Sequence, residues 1–304
     1  MKTFPGRVAV ITGAASGFGL EFARAGHALG MKLVLADIQQ DALDKAHEEF
    51  TAQGAEVIAM HCDVSKSDDV QKLADAAIAR FGAVHLLFNN AGVGAGGLVW
   101  ENTQADWEWV LGVNLWGVIH GIRIFTPLML ESARKDPDYE GHIVNTASVA
   151  GLLNAPTMGI YSVSKHAVVS LSETLYHDLK LVDTTIGASV LCPYFVPTGI
   201  GHSERNRPAD MQNTTGLTKS QRLAQTLAEQ SVNTGKISAA EVAGQTFEAI
   251  RAGQFYIYTH PGILEDVAQR MDDLVAQRNP RDPYEALPQV RDLLQAKLRS
   301  AKLL

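Results

Sequence analysis

The chain has 304 residues, of which 46% are hydrophobic and 19% charged, a balance that builds an ordinary core and excludes a mainly disordered chain. Its formal net charge of −7 offers no general basic field for nucleic acid or an anionic membrane. Cys62 and Cys192 stand outside any C-x-x-C spacing, so neither a disulfide framework nor a metal site is expected, and a cytoplasmic protein fits.

Residues 1–6 lead straight into an apolar run, without the charged and hydrophobic regions of an export signal. Short β-branched runs at Arg7–Thr12, Lys32–Asp37, Glu56–His61, Val84–Asn89, Gly141–Thr146, Ile186–Cys192 and Phe255–Thr259 predict seven strands. Between them, helical period marks Gly17–Leu29, Asp41–Ala52, Asp68–Phe81, Trp107–Ala133 and Tyr161–Leu181. Strands alternating with helices predict an α/β fold with one doubly wound parallel sheet, helices on both faces. The uncharged stretches 141–164 and 184–203 are broken by asparagines and prolines and do not read as membrane spans.

Residues 194–237 show no strand pattern and one helix, Lys219–Val232, with Leu223, Ala224 and Leu227 on one face. An insertion of this length inside a domain reads as a substrate lid. Thr103-x-x-Asp106, Thr218-x-x-Gln221 and Ser238-x-x-Glu241 mark helix starts. Beyond Thr259, apolar stripes Leu264, Val267, Met271, Leu274 and Leu287, Val290, Leu294, Leu298, Ala301 predict two amphipathic helices. The expected organisation is a dinucleotide-binding and catalytic unit, residues 1–260, with 261–304 as a helical extension of the same domain.

Immediately after the first strand comes Thr12-Gly13-Ala14-Ala15-Ser16-Gly17-Phe18-Gly19. Glycines here permit a tight turn, a close backbone approach to pyrophosphate and close helix–strand packing, and the helix N-terminus favours the anion. Asp37, ending the second strand, stands where a carboxylate accepts hydrogen bonds from an adenosine ribose.

Tyr161 and Lys165 lie one turn apart on one helix face. The spacing alone proves little, because Tyr176 and Lys180 repeat it. That second pair sits about 22 Å further along the helix, on what reads as a solvated face, whereas Tyr161 follows the strand whose C-terminal end carries Ser148. In this order and spacing, T-G-x-x-x-G-x-G at Thr12–Gly19, Asn89-Asn90-Ala91-Gly92, Asn114, Ser148 and Tyr161-x-x-x-Lys165 resemble the short-chain dehydrogenase/reductase family over residues 7–259.

That resemblance implies a Rossmann-type fold, a nicotinamide cofactor and a homotetramer or homodimer. It implies cofactor contacts from Gly13, Ser16, Gly17, Phe18, Gly19, Asp37, Ile38, Asp63, Val64, Asn90, Ala91, Gly92, Tyr161, Lys165, Pro193, Val196 and Thr198. Tyr194 departs from the pattern by replacing the family's glycine. NAD is expected over NADP, since Asp37 would repel a ribose phosphate and Ile38, Gln39 and Gln40 supply no cation.

For alcohol oxidation Tyr161 is the expected acid/base and Ser148 the donor to the substrate oxygen. The resemblance to the family implies that Asn114 supports a water relay to Lys165, the alternative being a purely structural asparagine. A lysine about 4 Å from the phenol is worth on the order of 4 kcal/mol, roughly three pKa units, enough to draw the tyrosine toward neutrality. Ser148, Leu152, Tyr161 and Tyr194 are the expected substrate contacts, and Leu98, Val99, Trp100, Leu153, Met158 and Phe195 extend an apolar wall. The expectation is an NAD-dependent dehydrogenase for a bulky apolar or aromatic secondary alcohol. A biosynthetic carbonyl reductase and a non-catalytic NAD-binding redox sensor are the alternatives.

Overall fold

The computed structural model describes residues 1–182 and 185–300. In chain order the elements are β1 (Val8–Thr12), α1 (Gly17–Ala28), β2 (Lys32–Asp37), α2 (Gln40–Ala52), β3 (Val57–His61), α3 (Ser67–Phe81) and β4 (Leu86–Asn89). There follow α4 (Gln104–Leu111), α5 (Gly117–Lys135), β5 (Gly141–Thr146), α6 (Gly159–Leu181), β6 (Ile186–Cys192) and α7 (Lys219–Asn233). The chain continues through α8 (Ala239–Ala252), β7 (Tyr256–Tyr258), α9 (Leu264–Val275) and α10 (Pro288–Arg299).

The strands form one sheet in the order β3-β2-β1-β4-β5-β6-β7, every neighbouring pair parallel. This is the doubly wound Rossmann arrangement. Strand order reverses between β1 and β4, which opens a crevice at their C-terminal ends.

Alternation along each strand feeds two cores. Leu33 and Leu35 of β2 join Phe22, Phe50, Phe88 and Phe247 beneath α1, α2 and α8, while Val34 and Ala36 join Leu73, Phe125, Met129 and Leu179 beneath α3, α5 and α6. Phe22 stacks on Phe88 with centroids 4.4 Å apart, and Phe88 meets Phe247 at 5.7 Å, which ties α1 and α8 to the middle of the sheet. The apolar segment Gln104–Lys135 could cross a membrane by length and composition alone, yet Trp109, Val110, Phe125 and Met129 on it are core residues.

Two expectations change. The single helix expected over 107–133 is α4 and α5 joined by a π-helical turn, Gly112–Trp116, and it begins at Gln104 because Thr103 and Asp106 form a reciprocal capping box. Tyr176 is half-buried against Phe255, with centroids 4.9 Å apart, rather than on a solvated face. Of the expected C-terminal stripes, Val267 packs on the sheet core and Leu294 is buried; Ala301 lies outside the described residues.

Candidate active site

The turn after β1 is shaped by glycine. Gly13 has φ +65°, and a Cβ there would lie 2.9 Å from the Ala91 Cα. At Gly19 a Cβ would fall 2.0 Å from the Gly13 carbonyl oxygen, so this glycine packs α1 against the turn instead of lining the cleft. Ser16 caps α1 without a side-chain hydrogen bond, and Gly17 follows with φ +53°, leaving the helix N-terminus open to an anion.

Thr12 Oγ1 accepts from the Asn90 and Ala91 N–H groups and donates to the Phe88 carbonyl, fixing Asn90–Gly92 beside the turn. The buried Asp37 accepts from the Ala15 N–H through Oδ2 and the Gln39 N–H through Oδ1, each at 2.9 Å. A carboxylate held this way beside a glycine cradle fits a ribose diol with a pyrophosphate next to it. Gly13, Ser16, Gly17, Phe18, Asp37, Ile38, Asp63, Val64, Asn90, Ala91, Gly92, Pro193, Val196 and Thr198 all line one cavity of about 1170 Å3, which continues to Ser148, Tyr161 and Lys165. That volume exceeds the roughly 300–1,000 Å3 of a drug-sized pocket and leaves room for a dinucleotide with a second molecule. His61 is exposed and Cys62 buried, on opposite faces of the chain.

Ser148 follows β5 and caps a single 3-10 turn, Val149–Gly151; its Oγ accepts from the Ala150 N–H at 3.1 Å and donates to the Pro193 carbonyl at 3.3 Å. Tyr161, on the first turn of α6, faces the same cavity as Ser148, whose nearby hydroxyl favours the phenolate. Lys165 Nζ donates to the Thr146 carbonyl at 2.9 Å and sits 5.6 Å from the Tyr161 ring centroid.

The electrostatics differ from the sequence expectation. Burial pushes the Tyr161 phenol up to about 12, only partly opposed by the Ser148 hydroxyl. Burial likewise pushes Lys165 down to about 8. The lysine lies beside the ring and points to Thr146, so by itself it does not bring the phenol to neutrality. The physical reason is that removing water penalises both charged forms before any partner compensates them.

Asn114 occupies the π-turn, fully buried and behind the cavity wall. Its Oδ1 accepts from the Val93 N–H at 2.8 Å, and its Nδ2 donates to the Val93 carbonyl and to Ser164 Oγ. The amide therefore fastens Val93, the residue after the Asn90–Gly92 turn, to α6. A Cβ on Gly92 would lie 3.5 Å from Asn114 Oδ1 and 3.6 Å from Lys165 Nζ, which places both groups behind that turn.

Of the expected substrate wall, Leu152 is buried in the core with Val168, Val169 and Val190, and its neighbour Leu153 faces the cavity instead. The 3-10 turn after Ser148 exchanges which side chain points inward. Leu98, Val99 and Trp100 do not line the cavity, and Trp100 is 78% exposed. Tyr194 and Phe195 do line it, packed together at 4.2 Å, with Tyr194 also edge-on to His260. Leu227 from α7, Leu274 from α9, and Tyr284 and Leu287 before α10 complete the roof, so the C-terminal extension covers the site of its own chain. The amphipathic stripes hinted at Leu227, Leu274 and Leu287, whereas no sequence signal marked Tyr284.

Residues 194–237 are anchored by a buried ion pair. Arg207 Nη1 meets Asp106 Oδ1 at 2.7 Å, with side chains 2% and 3% exposed. Asp106 also accepts from the Thr103 N–H, Asn213 Nδ2 and Gln221 Nε2, and the Arg207 guanidinium lies 5.1 Å from the Trp109 ring centroid.

Residues 7–209 match the family model described as short chain dehydrogenase. The chain is 35% identical over 277 residues to a CLA biosynthesis dehydrogenase/reductase of Lactiplantibacillus plantarum, covering 89% of this chain and 95% of the relative. It is 31% identical over 297 residues to a C alpha-dehydrogenase of Sphingobium sp., covering 97% and 94% respectively. A crystal structure of a short chain dehydrogenase/reductase from Burkholderia phymatum in complex with NAD is 56% identical and superposes with a TM-score of 0.90, covering 93% of this chain and 99% of that one.

Proposed function

The chain belongs to the short-chain dehydrogenase/reductase family, and on that premise we propose that it oxidises a bulky apolar or aromatic secondary alcohol to its ketone, with NAD as cofactor. The observation that carries this reading is that Ser148, Tyr161 and Lys165 line the same cavity as the glycine turn and Asp37, beside walls formed by Leu153, Tyr194, Phe195, Leu227 and Tyr284. Those walls present aromatic and aliphatic surface where a small hydrophilic alcohol would gain little. The relative named C alpha-dehydrogenase, matched along nearly the whole chain, supports the direction.

Asp37, the glycine turn, Asn90–Gly92 and Thr198 hold the dinucleotide in this reading. Bound oxidised nicotinamide supplies the hydride acceptor and a positive charge. Ser148 Oγ would orient the alcohol oxygen, and Tyr161 Oη, deprotonated only once the positive charges of Lys165 and the bound nicotinamide offset its burial, would accept the hydroxyl proton. Lys165, still mostly protonated near pH 7, holds the ribose side of the site and contributes positive charge. Asn114 keeps the backbone behind Lys165 in place. The segment 194–237 closes over the substrate as a lid. Trp116 and Val163, each about half exposed beside α5 and on α6, suit a homodimer or homotetramer contact.

Purified secondary alcohols presented as aryl, alicyclic and short aliphatic sets, scored by NADH appearance, test the proposal. The aryl or alicyclic sets should turn over fastest. Exclusive use of short aliphatic alcohols would sink it.

A further inference from the structure

We propose that Arg205 is a cofactor-binding residue, reaching from the segment after β6 to close over the adenosine ribose that Asp37 holds. Arg205 lies in the 3-10 stretch Gly199–Asn206, 166 residues from Gln39, yet its Nε donates to Gln39 Oε1 at 3.5 Å. The Gln39 N–H in turn donates to Asp37 Oδ1, so one residue touches the ribose carboxylate with its backbone and the guanidinium with its side chain. Beside it, a recess of about 350 Å3 has Ile38, Gln39 and Asp63 on one side and Arg205, Arg207 and Pro208 on the other. The adenosine end of the crevice thus has a wall that the sheet alone would not provide.

The guanidinium is pre-organised. Nη1 donates to the Gly199 and His202 carbonyls at 2.8 and 2.7 Å, whereas Nη2 has no hydrogen-bond partner among the described residues. Arg205 forms no ion pair with any described carboxylate. A planar cation fixed by two carbonyls, with donors left over at the rim of a dinucleotide cleft, suits ribose oxygens and suits a phosphate on that ribose better still. Two consequences follow. NAD affinity depends on Arg205, and the cation absent from the sequence around Asp37 is supplied by the fold, so removing the Asp37 charge alone admits the 2′-phosphate.

The inference rests on the NAD reading of the cleft, which wild-type titration with NAD tests separately. Calorimetry on wild type, Arg205→Ala, Asp37→Ser and the double variant, titrated with NAD, ADP-ribose, nicotinamide mononucleotide and 2′,5′-ADP, decides the rest. Arg205→Ala should weaken NAD and ADP-ribose about tenfold and leave the mononucleotide unchanged, as expected for one charge-assisted hydrogen bond. Asp37→Ser should gain 2′,5′-ADP binding that the double variant loses. NAD and ADP-ribose constants within twofold of wild type in Arg205→Ala, or equal 2′,5′-ADP affinity in the single and double Asp37 variants, would overturn it.

Discussion

Replacing Arg207 by Met removes one partner of the Asp106 ion pair while keeping an apolar stem over Trp109. Leaving a buried charge unpaired costs roughly 3–5 kcal/mol. Thr103, Asn213 and Gln221 continue to donate to the carboxylate, so the lower end applies, about 3 kcal/mol. For a domain of this size that lowers Tm by roughly 6 °C, at about 2 °C per kcal/mol. Arg291→Met, which breaks a pair with Asp282 whose side chains are 40% and 35% exposed, should change stability far less, because solvent screens that pair. Adding Asp106→Asn to Arg207→Met removes the orphaned charge and should recover part of the loss. Burial raises the Asp106 carboxyl, but the Thr103, Asn213 and Arg207 donors outweigh it and hold it below the ordinary value of 3.8. Its stabilisation is therefore complete above about pH 4 and lost as pH falls further, so wild type and Arg207→Met should converge in acid. Denaturant titration against pH measures all of this. An Arg207→Met protein within 1 kcal/mol of wild type near neutral pH, or a double variant no better than the sum of the singles, would refute the reasoning.

Tyr161→Phe should abolish turnover while leaving NAD affinity within about twofold, and Tyr176→Phe should do little; steady-state kinetics and calorimetry on both separate the two tyrosine–lysine pairs. Because burial holds Tyr161 near 12, a wild-type minus Tyr161→Phe ultraviolet difference spectrum should show no extra phenolate at about pH 10 without NAD and some with it; phenolate in the free protein would contradict the burial argument. NAD should exceed NADP at least about tenfold in kcat/KM, about 1.4 kcal/mol, and an NADP-preferring wild type would remove Asp37 from the ribose site. Hydrogen exchange in 199–217 should slow when cofactor and a substrate analogue bind, while 218–224, pinned by the Thr218 capping box and Gln221–Asp106, should change less; uniform exchange in both states speaks against a lid.

Much of the site was legible because its chemistry sits in contiguous stretches at the ends of strands. The turn Gly13–Gly19, Asp37 at the end of β2 and Tyr161 one helical turn before Lys165 follow from chain geometry over a few residues, and the alternation of β-branched runs with helical segments set the parallel sheet that aligns them. Local spacing carries less far once a side chain's direction depends on a short irregular turn. One residue separates Leu152 in the core from Leu153 in the cavity, and only the 3-10 turn after Ser148 decides between them. The Asp106–Arg207 pair, Arg205 beside Gln39 and the roof from Tyr284 join residues about a hundred or more apart, and no motif encodes such encounters. The ionisation of Tyr161 belongs with them. A lysine four residues away is visible in the sequence, but the desolvation that outweighs it is set by every neighbour that packing brings around the phenol, and that neighbourhood exists only in the folded chain.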